Sequence, residues 1–154
     1  MDLILWRHAE AEEAPEGGDD LSRELTKKGE RQAARMAAWL DRHLPEGTRV
    51  LVSPSVRTQQ TVAPLGRKFK LRDELVPETS IEDVLTLLKW NSETGPQSKG
   101  PVLLVGHQLY LGQLVAKLLG MQEHTCPVRK GGVWWLRTRV RDGQPQTVLL
   151  TVAC

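Results

Sequence analysis

Leu3-Ile4-Leu5-Trp6 is an uninterrupted apolar run that leads directly into Arg7 and His8. A run without alternation reads as a short strand buried on both faces, the kind found in parallel sheets. Glu10 to Arg23, rich in acids, Gly and Pro, predicts a long loop. Ala33, Met36, Ala37, Leu40 and Leu44 then recur at helical spacing behind Thr26 as N-cap, and Pro45 and Gly47 end that helix. Val50-Leu51-Val52 predicts a second strand, closed by Ser53-Pro54-Ser55. A helix from about Val56 carries Arg57 in its first turn, and Pro64 predicts a kink or early stop.

Glu74-Leu75-Val76 reads as a short strand, and Ser80-Ile81-Glu82-Asp83 as a capping box opening a helix with Val84, Leu87 and Leu88 on its apolar face. Asn91 to Gly100 is a polar loop. Pro101-Val102-Leu103-Leu104-Val105 is the clearest buried strand and runs into Gly106-His107-Gln108. Leu111, Leu114, Val115, Leu118 and Leu119 predict a following helix, with Gly120 just past its end. Val133-Trp134-Trp135-Leu136 and Thr147 to Val152 are strand-like around a turn at Arg141-Asp142-Gly143-Gln144. Alternating strands and helices, then a hairpin, predict an α/β three-layer sandwich. Its central sheet is mostly parallel with a C-terminal antiparallel hairpin, and residues 1–154 form one domain.

Composition changes this picture little. Apolar residues make up 40% and charged residues 26% of the chain, ordinary for a globular protein. No apolar run approaches the roughly 18 residues a membrane span needs. Neither a leader-like N-terminus nor a cysteine framework is present, Cys126 and Cys154 being only two, so the expected location is cytoplasmic. A net charge of +2 gives no reason to expect nucleic-acid binding. The charge is uneven: Glu10 to Asp20 holds six acids and no base, which charge patterning alone reads as solvated surface.

The chemistry lies at three strand ends. The first strand delivers Arg7 and His8, the second delivers Arg57 just beyond the Ser-Pro turn, and the central apolar strand delivers His107. Ligands of open α/β sheets bind beyond the carboxyl ends of the strands. Singly, Arg57 reads as a surface residue of a helix and His107 as a structural histidine under a loop. Jointly, two arginines and two histidines suit a phosphoryl group: arginine for forked recognition, neutral histidine as nucleophile or donor. No carboxylate stands at metal-ligand spacing in these motifs, which favours phosphoryl chemistry without a metal or other cofactor. His43 and His124 have no such setting and read as surface residues.

These residues resemble the histidine phosphatase superfamily, also called phosphoglycerate mutase-like. Its Arg-His-Gly motif appears as Arg7-His8-Ala9, and its Ser-Pro-x-x-Arg-x-x-Gln-Thr element as Ser53-Pro54-Ser55-Val56-Arg57-Thr58-Gln59-Gln60-Thr61. Val105-Gly106-His107 matches its Val-x-His element, and Leu25-Thr26, Gly29 and Gln32-Ala33 match the segment between. The short chain and the Arg-His-Ala variant resemble the bacterial SixA-type phosphohistidine phosphatases. The resemblance implies that His8 is the nucleophile and that Arg7, Arg57 and His107 bind the phosphoryl group. It implies a phosphorylated protein as partner, and phosphate or vanadate as ligands of the site. A small-molecule phosphomonoesterase is the alternative, and a phosphate-binding module without turnover a remote one. Larger relatives take a general acid from the segment before the third helix. Glu78 is nearest by position, with Glu82 and Asp83 as rivals and a capping or solvated role open for all three.

Overall fold

The computed structural model describes residues 1–154. Its main sheet has six strands, lying side by side in the order Lys70–Leu71 (β3), Arg49–Val52 (β2), Val102–Gly106 (β6), Asp2–Arg7 (β1), Val133–Arg141 (β7) and Gln144–Ala153 (β8). β1, β2, β3 and β6 are mutually parallel; β7 and β8 close one side as an antiparallel hairpin. β4 (Trp90–Asn91) and β5 (Gly95–Pro96) form a separate small hairpin within the stretch expected to be loop.

The unbroken apolar runs are explained by helices on both faces. Successive strand side chains point to opposite sides, so each central strand supplies two cores. Leu3, Leu5, Leu51 and Leu104 pack against α3 (Ile81–Leu87) and α4 (Gln108–Leu118) through Val84, Leu85, Leu111 and Leu114. Ile4, Trp6, Val50, Val52, Leu103 and Val105 pack on the other face against Met36, Ala37 and Leu40 of α1 (Lys27–His43) and Val62 of α2 (Val56–Val62). The result is the expected α/β/α sandwich, with its hairpin and mostly parallel sheet.

The local signals for the helices hold. Thr26 caps α1, its hydroxyl accepting the Gly29 N–H at 2.9 Å, and Ser80 caps α3 through the Asp83 N–H at 3.2 Å. Ahead of Pro64, α2 stops at Val62 and tightens into a 3₁₀ turn over Ala63–Leu65. The strand expected at Glu74–Val76 is a correction: Asp73–Leu75 is a 3₁₀ turn, and the edge strand is the exposed pair Lys70–Leu71. Leu75 is apolar because it plugs the α3/α4 core, and its carbonyl accepts the buried Tyr110 hydroxyl at 2.8 Å. No helix is long and apolar enough to cross a membrane.

Candidate active site

The sheet order decides the site. β6 inserts between β2 and β1, in a register that sets Arg7 beside Gly106 and Val52 beside Val105. The strand ends therefore bring Arg7, His8, the Ser53 turn and His107 to one crevice, at the carboxyl edge of the parallel strands. Arg57 enters from the first turn of α2. It is buried, not a surface residue: 3% exposed, with its Nη2 3.5 Å from His107 Nδ1. The two histidine rings are tilted, 5.5 Å apart.

His8 has an assigned proton. Its Nδ1 lies 2.7 Å from the Ala9 carbonyl oxygen. A carbonyl only accepts, so Nδ1 carries the hydrogen and Nε2 is bare. Burial, with the charges of Arg57 and Arg7 adding to it, pushes the His8 pKa down to about 4 against the pull of that hydrogen bond. The same causes push His107 down to about 3, burial first and then Arg57. Both rings are neutral at neutral pH, and His8 Nε2 has the lone pair a nucleophile needs.

The guanidinium groups are held by the rest of the chain. Arg7 Nη1 donates to the Val128 carbonyl at 2.8 Å. Gln108 fixes that segment, its Oε1 accepting from the Val128 N–H at 2.8 Å and its Nε2 donating to the Cys126 carbonyl at 2.9 Å. Arg57 Nη1 donates to the Asp20 carbonyl at 2.8 Å, and Nη2 reaches the Asp20 carboxylate at 3.1 Å. Burial raises the Asp20 carboxyl, but hydrogen bonds and charge from Arg23 and Arg57 outweigh it and hold the pKa below the usual carboxylate value. The Nε–H groups of Arg7 and Arg57 are buried with no acceptor in the protein. Such donors are costly to leave unpaired, and an oxyanion in the crevice is the kind of group that satisfies them.

Other motif residues hold backbone rather than ligand. Thr61 Oγ1 accepts the Ala9 N–H at 3.0 Å, Gln32 Oε1 the Glu10 N–H at 3.0 Å, and Gln60 Oε1 the Leu25 N–H at 2.7 Å. Ala9, where the resembled motif has Gly, packs its methyl in a small core with Leu25 and Ala33. Gly131, at φ +74°, shares its N–H between the Arg7 and His8 carbonyls at 3.1 and 3.0 Å. A side chain there would meet the left-handed penalty.

Sequence reading placed Arg7, His8, Arg57 and His107, and the fold brings all four together. It missed two neighbours. Ser53 reads in sequence only as part of the turn that closes the second strand, yet its Oγ lies 2.8 Å from His107 Nε2. Asp20 was one acid in a run, and nothing local marks it as the one that reaches Arg57. Glu78, Glu82 and Asp83 are exposed and make no hydrogen bond to the four. Cys126 and Cys154 are unpaired.

A buried arginine, a half-buried one and two neutral histidines at the strand ends of such a sandwich are the marks of a phosphoryl-handling class of protein. The chain belongs to the histidine phosphatase superfamily (branch 1), whose profile matches residues 3–80. Two curated relatives are a phosphohistidine phosphatase SixA homolog of Haemophilus influenzae, 32% identical over 136 residues, and the phosphohistidine phosphatase SixA of Escherichia coli, 33% identical over 121. The first alignment covers 80% of each chain; the second covers 77% of this one and 74% of the relative. Among solved structures, the protein histidine phosphatase SixA complexed with tungstate superposes with a TM-score of 0.77 at 25% identity, over 99% of this chain and 96% of that one.

Proposed function

We propose that this chain, acting as one domain over residues 1–154, removes phosphate from phosphorylated histidine of a protein by way of a phosphohistidine intermediate on His8. The observation that carries the reading is the 2.7 Å contact of His8 Nδ1 with the Ala9 carbonyl, which leaves Nε2 bare in a ring that lies within reach of the charges of Arg57 and Arg7. Nε2 attacks phosphorus in line, a new P–N bond forms and the substrate's P–N bond breaks. The departing imidazole takes a proton from solvent water as it leaves, and the hydroxide so formed is neutralised by bulk buffer. Water then attacks the phosphorus on His8, releasing phosphate and restoring the bare nitrogen. Arg7, Arg57 and His107 hold the phosphoryl oxygens with fixed donors, which is the work a metal ion does elsewhere.

The two relatives named phosphohistidine phosphatases support phosphohistidine as the substrate. The tungstate found with SixA, a tetrahedral oxyanion, supports phosphate and vanadate as ligands. Leaving-group chemistry agrees. Imidazole leaves with a pKa near 6.5 and asks little of an enzyme acid, whereas a sugar alkoxide needs a placed donor worth roughly 10²–10⁴-fold. Glu78, Glu82 and Asp83 make no hydrogen bond to the site residues, and the carboxylate that does, Asp20, is held ionised by Arg23 and Arg57 and so is a poor acid.

The test is turnover of a phosphohistidine protein, an aryl phosphate and sugar phosphates, with ³²P trapped on the enzyme. Label on His8, faster cleavage of the first two classes and a loss of several orders of magnitude in folded His8→Ala are expected. Turnover confined to sugar phosphates, or a tenth of the activity surviving in His8→Ala, overturns the reading. Prolonged chelation is expected to leave the rate unchanged, and loss restored by magnesium or zinc counts against the metal-free mechanism.

A further inference from the structure

The two histidines of the site face different kinds of partner, and the difference has a chemical consequence. A neutral imidazole has one N–H and one bare nitrogen, and a partner at either nitrogen decides which is which. His8 Nδ1 faces a carbonyl, which can only accept. His107 Nε2 faces a hydroxyl, Ser53 Oγ at 2.8 Å, which can accept or donate.

The surroundings of Ser53 break that tie. The side chain is fully buried. Its oxygen already receives the Ser55 N–H at 3.4 Å, and no acceptor other than His107 Nε2 stands within reach of its proton. A buried hydroxyl that donates to nothing loses about 1–3 kcal/mol. With Ser53 donating to Nε2 the enclosed hydroxyl is paired, and the one group left without a protein partner is the Nδ1–H, which then carries the ring hydrogen. That nitrogen faces the crevice beside Arg57 Nη2, at 3.5 Å. A guanidinium only donates, and 3.5 Å is the outer limit of a hydrogen bond. Arg57 Nη2 has a better acceptor in Asp20 at 3.1 Å. Nδ1–H and the guanidinium are thus two donors converging on one place, the arrangement an anion requires.

We propose that Ser53 is a positioning residue for phosphoryl transfer: by donating to His107 Nε2 it keeps the His107 proton on Nδ1, and so makes the two site histidines present opposite faces of the same tautomer to the crevice. His8 presents a lone pair to phosphorus while His107 presents a proton to a phosphoryl oxygen. The inference rests on the phosphatase reading only for what the Nδ1 proton does; where the proton lies is independent of it. The other tautomer of His107 turns a lone pair toward the phosphoryl oxygens and adds repulsion in place of a hydrogen bond.

The decisive measurement is ¹⁵N–¹H NMR of the imidazole nitrogens in the folded wild-type protein near neutral pH, with histidine labelled. Nδ1–H with bare Nε2 is expected for His107, and Nδ1–H with bare Nε2 also for His8. The two rings play opposite roles because His107 turns its Nδ1 to the crevice and His8 turns its Nε2 there. A proton on His107 Nε2 overturns the proposal whether or not the protein shows turnover. Kinetics supplies the second reading. Ser53→Ala, checked for folding by its melting curve, is expected to lose tenfold to a hundredfold in kcat and to bind vanadate more weakly; removing one fixed donor costs about 10²–10³ at most. Ser53→Thr keeps the hydroxyl and recovers most of the loss. Unchanged kcat and vanadate affinity in folded Ser53→Ala overturn the role. A wild type inactive on every phosphate instead removes the function reading and leaves the tautomer result standing.

Discussion

Asp20 engages the Arg57 guanidinium through its carbonyl at 2.8 Å and its carboxylate at 3.1 Å. An incoming phosphoryl group meets that carboxylate as a like charge and as a competitor for Nη2. The carboxylate's side chain is 54% exposed, so water and salt screen the pair, and such pairs are worth about 0.2–1 kcal/mol. Asp20→Asn keeps the backbone carbonyl contact and removes the charge. Vanadate is expected to bind about two- to fivefold more tightly to Asp20→Asn at low salt, with the gain shrinking as salt rises. Equal or weaker binding at low salt would show that the carboxylate helps to position Arg57 instead of competing for it.

Among the elements, the turn from β6 into α4 carries a tight steric constraint next to the site. A Cβ added to Gly106 would run into the Tyr110 hydroxyl and lie 2.6 Å from its ring. Tyr110 is fully buried, rests edge-on to His107 at 5.9 Å, and ties α4 to the Leu75 carbonyl. Gly106 is therefore small because a ring one turn along the helix needs the space, and that ring supports the site histidine. Overpacking of this kind costs about 1–3 kcal/mol. Gly106→Ala is expected to lower stability by about that much in denaturant melts and to lower kcat through displacement of His107. Adding Tyr110→Phe removes the nearest clashing atom, so the double variant is expected to lose less than the sum of the two single losses. Strict additivity would mean that the hydroxyl is not what the added methyl strikes.

For the whole molecule, burying two neutral histidines among guanidinium groups links folding to pH. An unfolded histidine takes up its proton near pH 6.5, whereas His8 and His107 in the folded chain do so only near 4 and 3. Between those values the unfolded chain binds more protons, so stability rises with pH there. The contribution is whole above about pH 6.5 and is lost as pH falls toward 4 and 3. The melting temperature is expected to drop on acidification from about pH 7 to about 4.5, and His107→Asn to flatten that slope. A slope of equal steepness in His107→Asn would remove the buried ring as its source.

Much of this architecture is written locally. The apolar runs of β1, β2 and β6, the caps Thr26 and Ser80, and the stop before Pro64 depend on neighbours a few residues away, and period and capping chemistry reveal them. Hydrophobicity alone does not separate interior from edge, however: Val102 to Val105 are buried on both faces, while Val148, Leu149, Leu150 and Val152 of β8 lie exposed at the sheet's border. Leu75 reads as strand but fills a core from a turn. The four site residues were legible because each stands at the end of a recognisable element in a known order. Ser53 and Asp20 were not, since their roles come from contacts with His107, 54 residues away, and Arg57, 37 residues away. Local pattern is enough to say which side chains reach the strand ends. Which of them share a crevice, and which partner faces each imidazole nitrogen, follows from β6 lying between β2 and β1. Strand neighbours and proton positions are set by long-range packing and burial, which no local pattern encodes.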